Sequence, residues 1–300
     1  MPFPYAGEVC ALLAPLCWSI AILFYRRSSE LASPMAMTLF KNSLAVGLLV
    51  LTMLALGERF PTDRSAADWL RLVVSGILGL AVADMCLFEA LRRIGAARIA
   101  VVDTVYAPTV VILSVLFLGE ELTLGLLFGG ALVLVGVTVA NSRVDSRVDA
   151  DGGSPLVGTL FGLAAIIGTA VGVILAKPVL ERSGLIEVTL TRLVAGVLGQ
   201  LLFVAVRGGA ADAFRAMRPS PVWWTLVPAA VIGTYLSLVF WLGGFKWANA
   251  SVAAVLNQMA TVYVLVLARI VLGETLTRRQ AAGAVIAAAG ALFVVVSRLS

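Results

Sequence analysis

The sequence predicts an all-α integral membrane protein in which ten transmembrane helices form two inverted five-helix repeats. Its 300 residues are 61% hydrophobic and 13% charged, with mean hydropathy +1.03, whereas soluble domains are about 45–50% apolar and about 25% charged. Long apolar runs recur along the whole chain, and its two halves match each other. The composition excludes a soluble enzyme and leaves no room for a large extramembrane catalytic domain.

Ten apolar runs bounded by charged residues, proline or glycine are the predicted helices. A spanning helix needs about 20 apolar residues, and lipid permits only helices and closed barrels. The runs lack the alternation of barrel strands. The first run has no charged segment before it and no small-residue cleavage site after it, which favours a retained span over a signal peptide. The runs cover about 8–25, 34–56, 70–91, 97–118, 123–141, 157–177, 184–206, 222–245, 250–272 and 279–297.

Residue types exclude several kinds of chemistry. The chain has no histidine, which rules out histidine-ligated zinc, Ser-His-Asp hydrolysis and histidine proton relays. Cys10, Cys17 and Cys86 lie in apolar runs without CxxC spacing and are predicted to be packing residues, so no cofactor is expected. The net charge of +5 is typical of loops that face anionic lipid, and no nucleic-acid surface is predicted.

The chain divides at a polar segment between Asn141 and Pro155. We predict a first repeat over residues 1–142, a linker over 143–155 and a second repeat over 156–300. At an offset of 154, Ala97–Gly136 and Ser251–Gly290 are identical at eleven of forty positions. Because five helices per repeat is an odd number, the second repeat enters the membrane from the opposite side. This arrangement supports transport in which one half rocks against the other around a midplane site.

Each repeat carries a Leu-Gly-Glu segment, at 118–120 and at 272–274, with a threonine three residues after the glutamate. Gly119 and Gly273 are predicted to end a helix in the left-handed conformation, and Glu120 and Glu274 to supply negative charge and capping oxygens to the next helix. A direct role in gating is the alternative.

These segments, together with Ala14 and Trp18 in an A-x-x-x-W first helix, residues 90–97 and Pro108, resemble the drug/metabolite transporter superfamily, EamA type. The resemblance covers essentially the whole chain. It implies a ten-helix transporter of small metabolites, often amino acids and frequently exported, in the cell (inner) membrane with both termini inside. Many relatives have arginine where this chain has Lys41, and Val262 stands at the repeat position of Pro108, so the halves are predicted to be functionally unequal.

Basic residues in the predicted loops favour the opposite orientation. With the amino terminus inside, the inside loops carry seven lysines and arginines and the outside loops carry twelve. The positive-inside rule then favours an outside amino terminus. We adopt the orientation that the resemblance implies and treat it as open to test.

Charged residues within spans are costly and are candidate functional residues. Since consecutive helices are antiparallel, Asp84 and Asp103 are predicted to lie about 10 Å from the same face. In one interpretation Lys41 pairs with a carboxylate and fixes helix packing. In the other, a carboxylate in a dry site exchanges a proton for substrate. The predicted substrate-binding or coupling residues are Lys41, Asp84, Glu89, Asp103, Thr104, Asn257 and Gln258.

Pro108 removes a backbone donor and is predicted to kink the fourth helix and free the carbonyl of Thr104. At the repeat offset, Asp103 and Thr104 match Asn257 and Gln258. Both polar pairs are predicted to face one cavity, with interhelical packing contacts as the alternative. Large side chains are predicted to complete the cavity, with interfacial anchoring as the alternative for the aromatic ones. The predicted cavity-lining residues are Trp18, Tyr106, Pro108, Arg192, Tyr235, Trp241 and Tyr263.

The sequence therefore predicts a secondary active transporter, not an enzyme, that exports small amino-acid-like or amphipathic metabolites by alternating access. It has no GxxxxGK[ST] loop, so the energy must come from an ion or substrate gradient, with protons as a candidate coupling ion. Its expected partners are a small-molecule substrate and the bilayer, and it is a monomer or a homodimer. An integral-membrane lipid-modifying enzyme and a passive channel are the alternatives.

Overall fold

Ten apolar helices long enough to cross a membrane build the described part of the chain, as predicted. The computed structural model describes residues 4–28, 33–58, 60–61, 63–141, 154–271, 273 and 276–297, and contains no strand among them. Most of the predicted linker, and Leu272 and Glu274, lie outside these residues. The ten spans are α1 (Ala6–Tyr25), α2 (Met35–Ala55), α3 (Ala66–Gly95), α4 (Arg98–Leu118), α5 (Leu124–Asn141), α6 (Pro155–Arg182), α7 (Leu185–Arg207), α8 (Trp223–Trp247), α9 (Ala250–Val271) and α10 (Arg278–Val296).

The helices pair across the two repeats in a symmetric pattern. α1 packs on α8 and α3 on α6, while α2 packs on α7, α4 on α9 and α5 on α10. The repeat symmetry matches α1 with α6, α2 with α7, α3 with α8, α4 with α9 and α5 with α10. It therefore converts the α1–α8 pair into the α6–α3 pair, and it maps each of the other three pairs onto itself. This is the packing that two inverted repeats produce around a twofold axis, and it confirms the predicted architecture.

Two π-helical segments interrupt α3 and α8 at Ile77–Val82 and Val231–Leu236, which lie 154 residues apart. Each contains a glycine that touches a helix of the other repeat. A Cβ at Gly79 would lie 3.4 Å from the Cα atom of Gly172, and one at Gly233 would overlap the side chain of Ala21. π-Turns inside helices are frequent at functional sites, and these two lie at mid-span.

A second pair of interruptions occurs in α4 and α9, also at equivalent positions. The helical pattern breaks at residues 104–105 and 258–259, where backbone N–H groups donate to the carbonyl three residues earlier at 3.0–3.2 Å. Pro108 follows the first break, as predicted. Because α9 carries Val262 at the matching position and breaks all the same, proline is not the sole cause of these breaks.

α5 and α10 cross through four glycines. A Cβ at Gly129 would lie 2.9 Å from the carbonyl oxygen of Gly290, and one at Gly290 would lie 2.8 Å from that of Gly129. The corresponding distances between Gly136 and Gly283 are 2.6 and 2.5 Å. Small residues allow helix backbones to approach closely in lipid. These two glycine pairs therefore set the distance between the repeats at one side of the bundle.

We call the two ends of the bundle the amino-terminal end and the linker end. The amino-terminal end holds the start of α1 and the short connections that follow α4, α6 and α8. The linker end holds the end of α5 and the start of α6, on either side of the predicted linker. Helix direction alternates along the chain, so both termini lie at the amino-terminal end.

We predict that Gly136→Ala destabilises the protein whereas Gly47→Ala does not. A methyl group at Gly136 would collide with the backbone of α10, but one at Gly47 would meet no atom within 4 Å. Overpacking costs about 1–3 kcal/mol. Thermal unfolding of both variants in detergent, followed by tryptophan fluorescence, checks this. Equal unfolding midpoints for the two variants would contradict it.

Candidate functional site

A cavity of about 340 Å³ lies between the repeats, which is within the range of small-molecule sites, about 300–1,000 Å³. It is reached by the mid-span parts of helices from both repeats, including both π-helical segments. Of the residues singled out in the sequence, the structure brings together in its wall Trp18, Lys41, Asp84, Asp103, Tyr106, Trp241, Asn257 and Gln258.

Lys41 and Asp84 form the charged pair of this cavity. The Lys41 ammonium lies 4.0 Å from a carboxylate oxygen of Asp84 and 6.0 Å from the ring centre of Trp18, and it donates a 3.3 Å hydrogen bond to the Asn42 side chain. The two charged side chains are 15% and 27% exposed. A contact this long and partly hydrated contributes about 1 kcal/mol or less, so the pair is loosely held and can rearrange around a ligand.

Asp103 and the polar residues of α9 form the opposite wall. The Gln258 side-chain amide donates to the Asp103 backbone carbonyl at 3.4 Å, so the two helix breaks face each other across the repeats. Asp103 is exposed to the cavity, and no residue in the described ranges forms an ion pair with its carboxylate. Those ranges also contain no cluster of carboxylates or thiols that could hold a metal ion.

The other predicted residues lie outside the cavity wall. Glu89 binds Arg92 and Arg93 at 2.7 and 2.6 Å, and the Thr104 hydroxyl donates to the carbonyl of Val101. Tyr235 shares a hydrogen bond with Thr52 at 2.6 Å. Pro108, Arg192 and Tyr263 are likewise absent from the wall formed by the described residues.

Sequence reasoning missed a network of neutral polar side chains beneath the cavity. Asn42 donates to Gln200 at 3.2 Å, and Gln200 donates to the Leu80 carbonyl in the first π-helical segment at 3.1 Å. Gln200 is fully buried. The available signal was an uncharged amide inside an apolar run, which costs free energy unless it is hydrogen-bonded.

Ion pairs between the repeats close the amino-terminal end. Arg64 binds Glu187 at 2.6 Å, and Arg182 binds Asp68 at 2.5 Å. The first pair is nearly buried, with side chains 4% and 10% exposed. Each pair joins residues around the start of α3 to the end of α6 or the start of α7, so the repeats are tied together at this end.

Glu120 ties α4 to α9 at the same end. Its carboxylate accepts hydrogen bonds from the backbone N–H groups of Ala250 and Ser251 at 2.5 and 3.0 Å and from the Ser251 hydroxyl at 2.6 Å. Ser114 and Ser251 meet in a buried hydrogen bond of 2.7 Å. The prediction that Glu120 caps the next helix is therefore wrong, because it caps α9 in the other repeat.

The hairpin interpretation holds for the neighbouring residues. Gly119 has a left-handed φ of 67° and Gly273 one of 69°, as predicted. Thr123 accepts a hydrogen bond from the N–H of Leu126, and Thr277 caps α10. Glu274 lies outside the described residues.

The cavity lies toward the linker end relative to these closures. Lys41 is six residues from the start of α2 and Asp103 five from the start of α4, which places both about 8–9 Å from the linker end of their helices. Glu120 follows the opposite end of α4. The site is thus a mid-depth cavity displaced toward one end of the bundle, with the other end tied shut.

We predict that the thiol of an Asn257→Cys variant reacts with a membrane-impermeant reagent at least about tenfold faster from the linker end than from the amino-terminal end. The background carries serine at the three native cysteines. Ser114→Cys is the matched control, because position 114 is fully buried and is expected not to react. Faster labelling of position 257 from the amino-terminal end would contradict the observed closure.

Comparisons with known proteins agree with this architecture. The chain is 25% identical over 240 residues to an uncharacterized transporter of Synechocystis sp. (strain ATCC 27184 / PCC 6803 / Kazusa), covering 77% of this chain and 67% of that protein. A protein of known crystal structure superimposes with a TM-score of 0.80 at 19% identity, covering 99% of this chain and 100% of its own, which shows a shared fold. The EamA-like transporter family model matches residues 5–142 and 156–296. The chain therefore belongs to the EamA-like transporter family and is a multi-pass membrane transporter.

Proposed function

We propose that the protein is a secondary active transporter that exports small amino-acid-like or amphipathic metabolites across the cell (inner) membrane by alternating access. One observation carries the proposal: the two repeats enclose a ligand-sized cavity, and the ion pairs that join them in the described part of the chain all lie at one of its ends. At the other end a hydrogen bond from Ser33 to Asp212 at 2.6 Å and apolar packing join the repeats, without an ion pair among the described residues. A cavity between pseudo-symmetric halves, reachable from one side at a time, is what alternating access requires. With the amino terminus inside, the ion-paired end lies on the inner side of the membrane.

The symmetry of the repeats supports a second state. Every contact between the halves at the amino-terminal end joins residues whose repeat counterparts lie at the linker end. Rocking the halves around the cavity exchanges the roles of the two ends. The tied end also counts against the passive channel, since a channel needs a continuous path. One chain supplies both repeats, so a monomer suffices.

Glu120 is well placed to act as a latch between the two states. It accepts three hydrogen bonds from the first residues of α9, and hydrogen bonds to a charged group contribute about 1.5–3 kcal/mol each. Opening the amino-terminal end requires these bonds to break. The hairpin glutamate then has the gating role that sequence alone left as an alternative.

Proton coupling would rest on the carboxylates of the cavity. Asp103 has no ion-pair partner among the described residues and faces the cavity, so neutralising it breaks no salt bridge. Asp84 is partnered by Lys41, and Glu89 by two arginines. Among the three candidates, Asp103 is therefore the best placed to exchange a proton for substrate, and Glu89 the least.

We predict that Glu120→Ala shifts the protein toward the state open at the amino-terminal end, whereas Glu121→Ala does not. Glu121 is the matched control because it is exposed and adjacent. Each change is combined with Asn257→Cys, and the ratio of labelling from the two ends is measured. Glu120→Ala is expected to move that ratio by about tenfold, since even one lost charge-assisted hydrogen bond changes the balance that much. An unchanged ratio would show that Glu120 is not a latch.

We also predict that Asp103→Asn abolishes solute uptake driven by a pH gradient in proteoliposomes, while Glu89→Gln retains most of it. Asp84→Asn is expected to reduce uptake because it also leaves Lys41 unpaired. Exchange of labelled solute without a gradient reports on binding and serves as the control for folding. Gradient-driven uptake in all three variants would rule out coupling through these carboxylates, and the absence of uptake of any solute would count against the transporter proposal itself.

A further inference from the structure

Arg192 is the most deeply buried cation of the described residues, with no solvent exposure. It lies in α7, seven residues from the helix start. Its Nε atom donates to the Ser75 hydroxyl at 2.7 Å, and that hydroxyl donates to the Gly172 carbonyl at 2.5 Å. One edge of the guanidinium is thus fixed by residues of α3 and α6, so that its position is defined by three helices.

The other edge of the guanidinium has no hydrogen-bond acceptor among the described residues, and its neighbour there is the face of the Trp241 ring. Nη1 and Nη2 of Arg192 are buried without an acceptor among the described residues. A buried charge without a counter-charge is strongly destabilising, so this arrangement is not expected from a residue that serves packing alone. Fixed at one edge and unpaired at the other, the side chain is organised to receive an additional group.

The unpaired edge lies directly behind the cavity wall. The guanidinium carbon is 5.5 Å from the ring centre of Trp241, and Nη2 would be 3.6 Å from a Cβ at Gly79. Tyr106 lies near Asp103, Trp241 and Arg192, and its buried hydroxyl forms no well-aligned hydrogen bond with the described residues. Trp241, Gly79 and Tyr106 all line the cavity, so one layer of side chains separates Arg192 from it.

Two other cations show how this fold treats a buried positive charge. Lys177 is also buried, yet it donates to Glu181 and to the carbonyls of Phe245 and Ala248 at 2.7–3.1 Å. Lys41, which aligns with Arg192 at an offset of 151 residues, lies beside Asp84. Both of these cations have a carboxylate partner, whereas the outer edge of the Arg192 guanidinium has no carboxylate or other acceptor among the described residues.

We propose that Arg192 is a specificity-determining residue that binds an anionic oxygen pair, a carboxylate or a group of the same shape, on the transported solute. The inference rests on the proposed transport function. The planar fork of an arginine matches two carboxylate oxygens, which a lysine cannot match. Tyr106 and Trp241 cover the site in the present state, and a bound anion takes the place of the Tyr106 hydroxyl beside Arg192.

The test measures the preference for charge on matched probes. Benzoate, 3-phenylpropanoate, hexanoate and glutarate are each compared with their amides for binding to the purified full-length chain, through quenching of tryptophan fluorescence. Wild type is expected to bind at least one carboxylate at least about tenfold more tightly than its amide. Arg192→Gln is expected to bind the carboxylate and its amide with equal affinity. Arg192→Lys is expected to retain only part of the preference for the carboxylate.

Ser75→Ala separates positioning from folding. It removes the hydroxyl that fixes Arg192 while leaving the charge, and is expected to reduce the carboxylate preference without abolishing it. Thermal unfolding of each variant reports on the fold. A structural role alone would change the unfolding midpoint and leave the carboxylate-to-amide ratio of the folded protein unchanged.

Three outcomes would overturn the inference. They are equal affinity of wild type for every carboxylate and its amide, no binding of any carboxylate, and an unchanged ratio in folded Arg192→Gln or Arg192→Lys. Solute exchange in proteoliposomes distinguishes this failure from that of the proposed function. Exchange of an uncharged or cationic solute together with any of these outcomes leaves transport standing and removes only the role of Arg192.

Discussion

Hydrogen bonding across the boundary between the repeats is the constraint on which the rest of the structure depends. Inside a bilayer a buried polar group finds its partner within the protein or stays unsatisfied. Here Ser237 of α8 donates to the Ala14 carbonyl of α1, and Ser75 of α3 donates to the Gly172 carbonyl of α6. Because each bond needs both repeats, the halves cannot separate in lipid, and any movement between them must exchange one set of contacts for another.

Glycine makes this boundary close enough for such bonds to form. Where Gly79 faces Gly172, the backbones of α3 and α6 almost touch, and Ser75 reaches the Gly172 carbonyl one turn away. A side chain at Gly172 would collide with the backbone of α3, push the helices apart and leave the serine and Arg192 without their anchors. The close contacts at mid-depth thus act as a pivot around which the two ends can open in turn.

The sequence alone predicts the spans and their arrangement, because hydropathy determines the first and the offset of 154 residues determines the second. Charged residues inside a span are conspicuous, so sequence reasoning identifies Lys41 and Asp84 as cavity residues. The partner of Glu120 was out of reach, because Ala250 lies 130 residues away and only the packing of α4 on α9 brings them together. That the outer edge of Arg192 has no acceptor among the described residues is equally hidden, since it depends on what surrounds the side chain on three helices.

Unequal contacts between nearly equal repeats connect the structure to transport. If the repeats were identical, closing either end would have the same free energy, and the two states would be equally populated. Pro108 against Val262 and Lys41 against Arg192 break that equality, so one state is favoured until a ligand shifts the balance by binding the other more tightly. A solute that replaces the Tyr106 hydroxyl beside Arg192 compensates a buried charge and must move part of the cavity wall to do so. Binding and the change of state are then one event, which is the coupling that a transporter needs.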